Sequence, residues 1–227
     1  MRGQKSARGA GSLSALRRWG AFFVLALLIA GCGATGGGLG LTNNVAPTPS
    51  DTLPPLLLIH PPFAETYACA EHWEGEHKKR GDALGTDCFV IGQVPTPTGG
   101  VILSPFKNRG FENSDWFTYR AAILAPVAGT VARVVRRTEP NQPGIIGAAP
   151  ATYVEIVDRD GVHIVVAHIE AITVASGDEV TAGQVIGRVG NNGLSRAPHI
   201  HIGAWKGRTA YQLRHDQQAM LGGRGQD

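Results

Sequence analysis

The chain has 227 residues, 43% of them hydrophobic and 17% charged, with 31 glycines, 14 prolines and only two methionines. This suits one good-sized folded domain or two small ones rich in turns, and the scarcity of 3.6-residue periodicity argues against a helical bundle. The formal charge is +3. It comes from the first 18 positions, because without their five basic residues 16 Lys and Arg face 18 acids, which gives about −2 and no basic footprint for nucleic acid.

No acid occurs in the first 50 residues. Arg2, Lys5, Arg8, Arg17 and Arg18 precede an apolar run from Ala21 to Ala30. That run is shorter than the roughly 20 residues a spanning helix needs, so residues 1–31 read as a secretory signal. Its end, Leu28-Ile-Ala-Gly-Cys32, resembles the lipobox of bacterial lipoproteins, which implies lipidation of Cys32 and a membrane anchor. The plainer alternative is an ordinary signal or short anchor helix whose cysteine is incidental. Residues 32–55, rich in Gly, Thr, Pro and Asn, read as a flexible tether.

Residues 56–104 form an N-terminal region with the other two cysteines, Cys69 and Cys88. In an exported protein these suggest a disulfide, with two free thiols as the alternative. Ala70 to Gly85 is polar and charged, and is expected on the surface with room for one short helix. From residue 105 to 212 β signals dominate. Strands are expected over Gly129–Val135, Tyr153–Val157, Val162–His168, Ile172–Val174, Val185–Val189 and His199–Ile202, with a hairpin turn at Asp160-Gly161 and a long loop over Thr138–Ala151. Short strands with close turns imply a mainly β fold, an antiparallel sheet or sandwich with few short helices. Residues 213–227 are expected to end in a short helix and a frayed tail.

Strand alternation decides which side chains meet. His199 and His201 share one face of their strand, leaving Ile200 and Ile202 for the core. His168 stands at the end of a neighbouring strand, whereas His163 faces the other way and is expected on the surface. A His-x-His pair alone is a weak signal, but Asn191-Asn192-Gly193 and Pro198 before it and Trp205 after it strengthen this one.

The segments Ala167-His168-Ile169, Val174-x-x-Gly177-Asp178-x-Val180-x-x-Gly183-Gln184-x-Ile186-Gly187, Gly190-Asn-Asn-Gly193 and Pro198-His199-Ile-His201, with Ala125-Pro126-Val-x-Gly129-Thr-Val131 before them, resemble the lysostaphin/LytM family of zinc endopeptidases. The resemblance covers residues 105–210. It implies a compact antiparallel β domain of the LytM type, a duplicated hybrid motif, acting on the peptide bridges of bacterial peptidoglycan. Zinc would be held by a His-x3-Asp motif and by the second histidine of His-x-His, and a water would complete the tetrahedron. Carried over, this makes His201 a metal ligand, Asp115 the aspartate of His-x3-Asp, and His168 and His199 the catalytic pair. A carrier fold of the biotinyl or lipoyl type shares the glycine pattern, but no lysine sits at a suitable hairpin tip.

The carried-over motif fails at its first position, where Phe111 stands in place of histidine. Two protein ligands hold zinc weakly. The residues that could complete the set are Glu112, Asn113, His72 and His77, the last two against the plainer reading of a solvated charged segment. Two functions therefore follow from the resemblance. One is a zinc endopeptidase, lipid-anchored in the cell envelope. The other is a non-catalytic module that binds peptidoglycan or activates a partner cell-wall hydrolase.

Overall fold

The computed structural model of the protein describes residues 53–137 and 139–222. The expected signal, Cys32 and most of the tether lie outside the described residues. Fourteen strands occur among the described residues, in chain order β1 (Leu56–Ile59), β2 (Tyr67–Glu71), β3 (Thr86–Val90), β4 (Gly92–Pro95), β5 (Val101–Ser104), β6 (Ala122–Leu124), β7 (Gly129–Val135), β8 (Tyr153–Val157), β9 (His163–Ala167), β10 (Ile169–Glu170), β11 (Glu179–Val180), β12 (Val185–Val189), β13 (Ile200–Lys206) and β14 (Thr209–His215). A short helix, α1 (Gln217–Gly222), closes the described chain. No helix among the described residues is long and apolar enough to cross a membrane.

The expected mainly β fold is what forms. Nine strands make one sheet in the order β1-β14-β13-β9-β8-β7-β11, with β3 also on β13 and β2 on β3. A second sheet runs β10-β12-β6, and β4 and β5 pair as a hairpin. Pairing is antiparallel except for β1 alongside β14. The two larger sheets share one buried core. Ile123, Ile169, Ile186 and Val189 from the second meet Val131, Ile156, Ile164, Val166, Ile200 and Ile202 from the first. The sequence explains this packing, because β9 and β13 alternate and send every second β-branched residue inward. The opposite face of the large sheet carries a smaller apolar floor of Ala151, Tyr153, Val165, Ala167 and Trp205.

Three local expectations are corrected. Ile172–Val174 is not a strand; its place is taken by the two-residue β10. The boundary at 104/105 has no counterpart in the hydrogen bonding, because β1 pairs with β14 and β3 with β13. The Ala70–Gly85 stretch carries no helix, and its end is buried at Gly81 and from Ala83 to Gly85. There Gly203 of β13 lets the Gly81 backbone pack directly on the strand, and a side chain at 203 would collide with the Gly81 carbonyl.

Cys69 and Cys88 are joined in a disulfide, directly opposite one another on β2 and β3. Their sequence separation is 19 residues. Closing a loop of that size removes about 3 kcal/mol of unfolded-chain entropy. Replacing both cysteines by serine should therefore lower the melting temperature by about 6–12 °C in a thermal scan at fixed protein concentration.

Candidate functional site

The site is built where β13 passes between β3 and β9. His201 pairs with Ala167 on one side and with Asp87 on the other. Residues directly opposite in an antiparallel ladder present their side chains on the same face. Asp87 Oδ1 accordingly lies 2.8 Å from His201 Nδ1. His199 comes two residues before His201 and joins from the same face, with Nε2 3.7 Å from Asp87 Oδ1. His168 enters from the junction of β9 and β10, where the chain crosses from the large sheet to the small one. It holds φ = 64° there, a left-handed conformation that costs a non-glycine residue about 1 kcal/mol or more and is found at sites where geometry is imposed. Its ring centroid lies 4.6 Å from that of His199 and 6.5 Å from that of His201. The three expected histidines are thus brought together, and all three are buried.

Asp115 is not brought to them. It lies in a one-turn 3-10 helix, where its carboxylate accepts from Asn108 Nδ2 at 2.8 Å and from the Glu112 N–H at 3.3 Å. The Asn108 bond chiefly holds its carboxyl below the usual range. Phe111 is likewise elsewhere. It is 63% exposed with the Arg109 guanidinium 4.7 Å over its ring, so it forms no wall of the site. Glu112 is exposed and Asn113 is spent on Asn141 and Asn191, which removes both as replacements. The carboxylate beside His201 is Asp87, and the His-x3-Asp spacing is met by Ala83 and Asp87. Alanine stands where that motif has histidine. The correct segment precedes the β4–β5 hairpin and residues 105–117, an interruption that separates it from the rest of the resemblance.

Backbone carbonyls set the tautomers. A carbonyl only accepts, so the nitrogen facing it carries the proton. His168 Nδ1–H donates to Asn192 O at 2.7 Å and His199 Nδ1–H to Ala197 O at 2.8 Å. Ser195 Oγ stands 3.2 Å from the same His199 nitrogen. In both rings Nε2 is left as the nitrogen able to take a proton. His201 has the reverse arrangement. Its Nε2–H donates to Gly81 O at 2.6 Å, which leaves Nδ1 for Asp87. His72 Nδ1–H donates to Asp82 O at 3.0 Å, and its Nε2 lies 3.6 Å from Asp87 Oδ2.

Electrostatics follow from burial and pairing. Burial pushes His168 down to about 3, helped by the neighbouring His199 and His201, so it is neutral at neutral pH. Burial also opposes a charge on His201, but the hydrogen bond and charge of Asp87, the charge of Asp82 and the Gly81 carbonyl outweigh it and raise this ring to about 9. Burial works against the Asp87 carboxylate too, yet His199, His201 and His72 hold it well below the usual range. Asp87 is therefore a stable anion that favours a cation next to it, either a proton on His201 or a metal ion.

Two groups of donors among the described residues could hold a metal. One is Cys69, Cys88 and His215, but both its thiols are spent in the disulfide. The other is His72, Asp87 and His201, whose donor atoms lie within 4.8 Å of one another. Ligand atoms about 2.0–2.1 Å from a tetrahedral zinc are roughly 3.3 Å apart, so small side-chain shifts suffice. Two imidazoles and one carboxylate also suit zinc chemically.

Asn192 anchors this corner. Its side chain accepts from Thr152 N–H at 2.7 Å and donates to Ile169 O at 2.9 Å, both buried. Asn192→Ala should cost roughly 1–3 kcal/mol for each group left unpaired, read as a lower midpoint in urea denaturation.

Comparison with known proteins agrees with the geometry. The sequence model described as "Peptidase family M23" matches residues 115–213, a span that holds the three histidines and leaves out Asp87. The glycyl-glycine endopeptidase ALE-1 of Staphylococcus capitis is 35% identical over 75 residues, 33% of this chain. The chain spans only about a fifth (21%) of the length of that relative. Among solved structures, the catalytic domain of lysostaphin from Staphylococcus simulans aligns at TM-score 0.32 and 23% identity, covering 47% of this chain and 81% of the other. The deep-sea M23 metalloprotease pseudoalterin aligns at TM-score 0.41 and 14% identity, covering 68% and 73%. Residues 115–213 of this chain thus match peptidase family M23, and that span holds His168, His199 and His201.

Proposed function

We propose that the protein is a zinc-dependent endopeptidase that cuts peptide cross-links of bacterial peptidoglycan, working in the cell envelope where a lipid on Cys32 anchors it to a membrane. The observation that carries this reading is the arrangement of His168 and His199 around the Asp87–His201 pair. A purely structural role would not need two buried rings with Nδ1–H committed to carbonyls and Nε2 left to accept a proton. The similarity to ALE-1, a glycyl-glycine endopeptidase, supports a peptide substrate.

Zinc at this site, held by Asp87 and His201 among its ligands, would supply an acidified water and polarise the scissile carbonyl. The residues of the chain do the rest. His168, kept neutral by burial, accepts the proton of the attacking water at Nε2. His168 then hands that proton to the departing amine, and His199, oriented by Ala197 O and Ser195, turns Nε2 toward the oxyanion, which it stabilises once that nitrogen carries a proton. The apolar floor of Tyr153, Val165 and Trp205 keeps bulk water from the sheet beneath.

The alternative, a non-catalytic module that binds peptidoglycan or stimulates a partner hydrolase, is favoured by Ala83 at the first motif position. One assay separates the two. Zinc-loaded mature protein is incubated with purified cell walls, and newly released amino termini are counted. The peptidase reading expects release, and a fall of about 10²–10⁴-fold in His168→Ala and His199→Ala with zinc content unchanged. Full zinc loading with no release would instead leave the non-catalytic module. Cys32→Ser should shift the protein from the membrane to the soluble fraction of cells; an unchanged distribution would contradict the lipid anchor.

A further inference from the structure

Ala83 leaves the metal set one ligand short in the chain segment where the motif supplies it. A methyl group cannot bind a cation, and Asp87 with His201 alone would hold zinc weakly. The missing imidazole is present in space but arrives from another strand. His72 follows β2 directly, and its N–H donates to Gly85 O at 2.8 Å, which continues the β2–β3 ladder one step beyond the paired residues. In that ladder Ala70 lies opposite Asp87. Alternation therefore puts Ala70 and His72 on the face of Asp87, and puts Cys69 on the other face with Cys88.

Three further features fit a ligand at this position. The tautomer is correct, because the bond from Nδ1–H to Asp82 O frees Nε2, the nitrogen that approaches Asp87. The His72 and His201 rings stack with centroids 5.2 Å apart and planes at 29°, and each brings one nitrogen to an Asp87 oxygen, His201 Nδ1 to Oδ1 and His72 Nε2 to Oδ2. The residue across from His72 is Gly85, and a Cβ there would stand 2.8 Å from His201 Cε1; glycine at this position leaves room for the His201 ring. The Cys69–Cys88 bond fixes the register, since a one-residue slip of β2 would turn His72 to the opposite face.

We propose that His72 is the third metal ligand of this protein. It replaces in space the histidine that Ala83 lacks, and the Cys69–Cys88 disulfide holds the donor strand in register. The metal set is then His72 Nε2, Asp87 and His201 Nδ1, and a water would complete a tetrahedron. This assignment rests on the zinc-peptidase reading, and the following experiment separates their failures.

Zinc affinity is measured by competition with a chromogenic chelator on the oxidised mature protein, the His72→Ala variant and the double variant His72→Ala/Ala83→His. The wild type is expected to bind one zinc. His72→Ala should weaken binding by about 100-fold or more, beyond the 10–100-fold typical of losing an outer partner. Ala83→His in that background should recover much of the loss by restoring the His-x3-Asp motif. A His72→Ala variant with wild-type affinity overturns the assignment and leaves the peptidase reading standing. A wild type that binds no zinc overturns both. Zinc-edge X-ray absorption of the wild-type protein needs no variant to fold: two imidazoles in the first shell support the assignment, and one overturns it.

Discussion

Asp87 lies directly across the β3–β13 ladder from His201, and the remainder of the site depends on that pairing. A carboxylate this enclosed is stable only if paired. It is paired with His201 at 2.8 Å and approached by His72 and His199 at 3.6 and 3.7 Å. Three histidines from two segments distant in sequence are thereby tied to one anion. The ladder that aligns them also buries Cys88, Ile200 and Ile202 on its other face. Core packing and site geometry are thus two sides of the same register.

The close fit around this anion explains why small residues are placed where they are. Gly85 admits the His201 ring, and Gly203 admits the turn that brings the Gly81 and Asp82 carbonyls over His201 and His72. Those carbonyls decide which nitrogen of each ring is left for Asp87. On the other side, the Asn192 and Ala197 carbonyls take the Nδ1–H of His168 and His199 and leave Nε2, as the Asp82 carbonyl does for His72; His201 alone is reversed. The site therefore has two halves: His72 and His201 beside the Asp87 carboxylate, suited to holding a cation, and His168 with His199, suited to moving a proton.

Much of this was legible in the sequence. Period-two alternation around His199 and His201, the inward Ile200 and Ile202, and the turn glycines announced the β fold and the histidine cluster, because these are local signals. The carboxylate was not legible in the same way. The search for His-x3-Asp has nothing to find when its first residue is Ala83, and Asp115 offered a nearer carboxylate on the side of the chain that carries the resemblance. The charged composition of residues 70–85 suggested solvent exposure, yet Ala83, Leu84 and Gly85 are buried and His72 turns inward. The parallel β1–β14 pair was invisible for a related reason: it joins residues 56–59 to 212–215, a non-local contact with no pattern in either strand alone.

The central claim is that Asp87, and not Asp115, is the carboxylate of the metal site. Comparing zinc affinities of Asp87→Asn and Asp115→Asn in the oxidised mature protein tests it most directly. Both substitutions keep the side-chain shape and remove the charge. The account predicts that Asp87→Asn loses zinc and Asp115→Asn binds it as the wild type does. Loss of zinc in Asp115→Asn with retention in Asp87→Asn would contradict it.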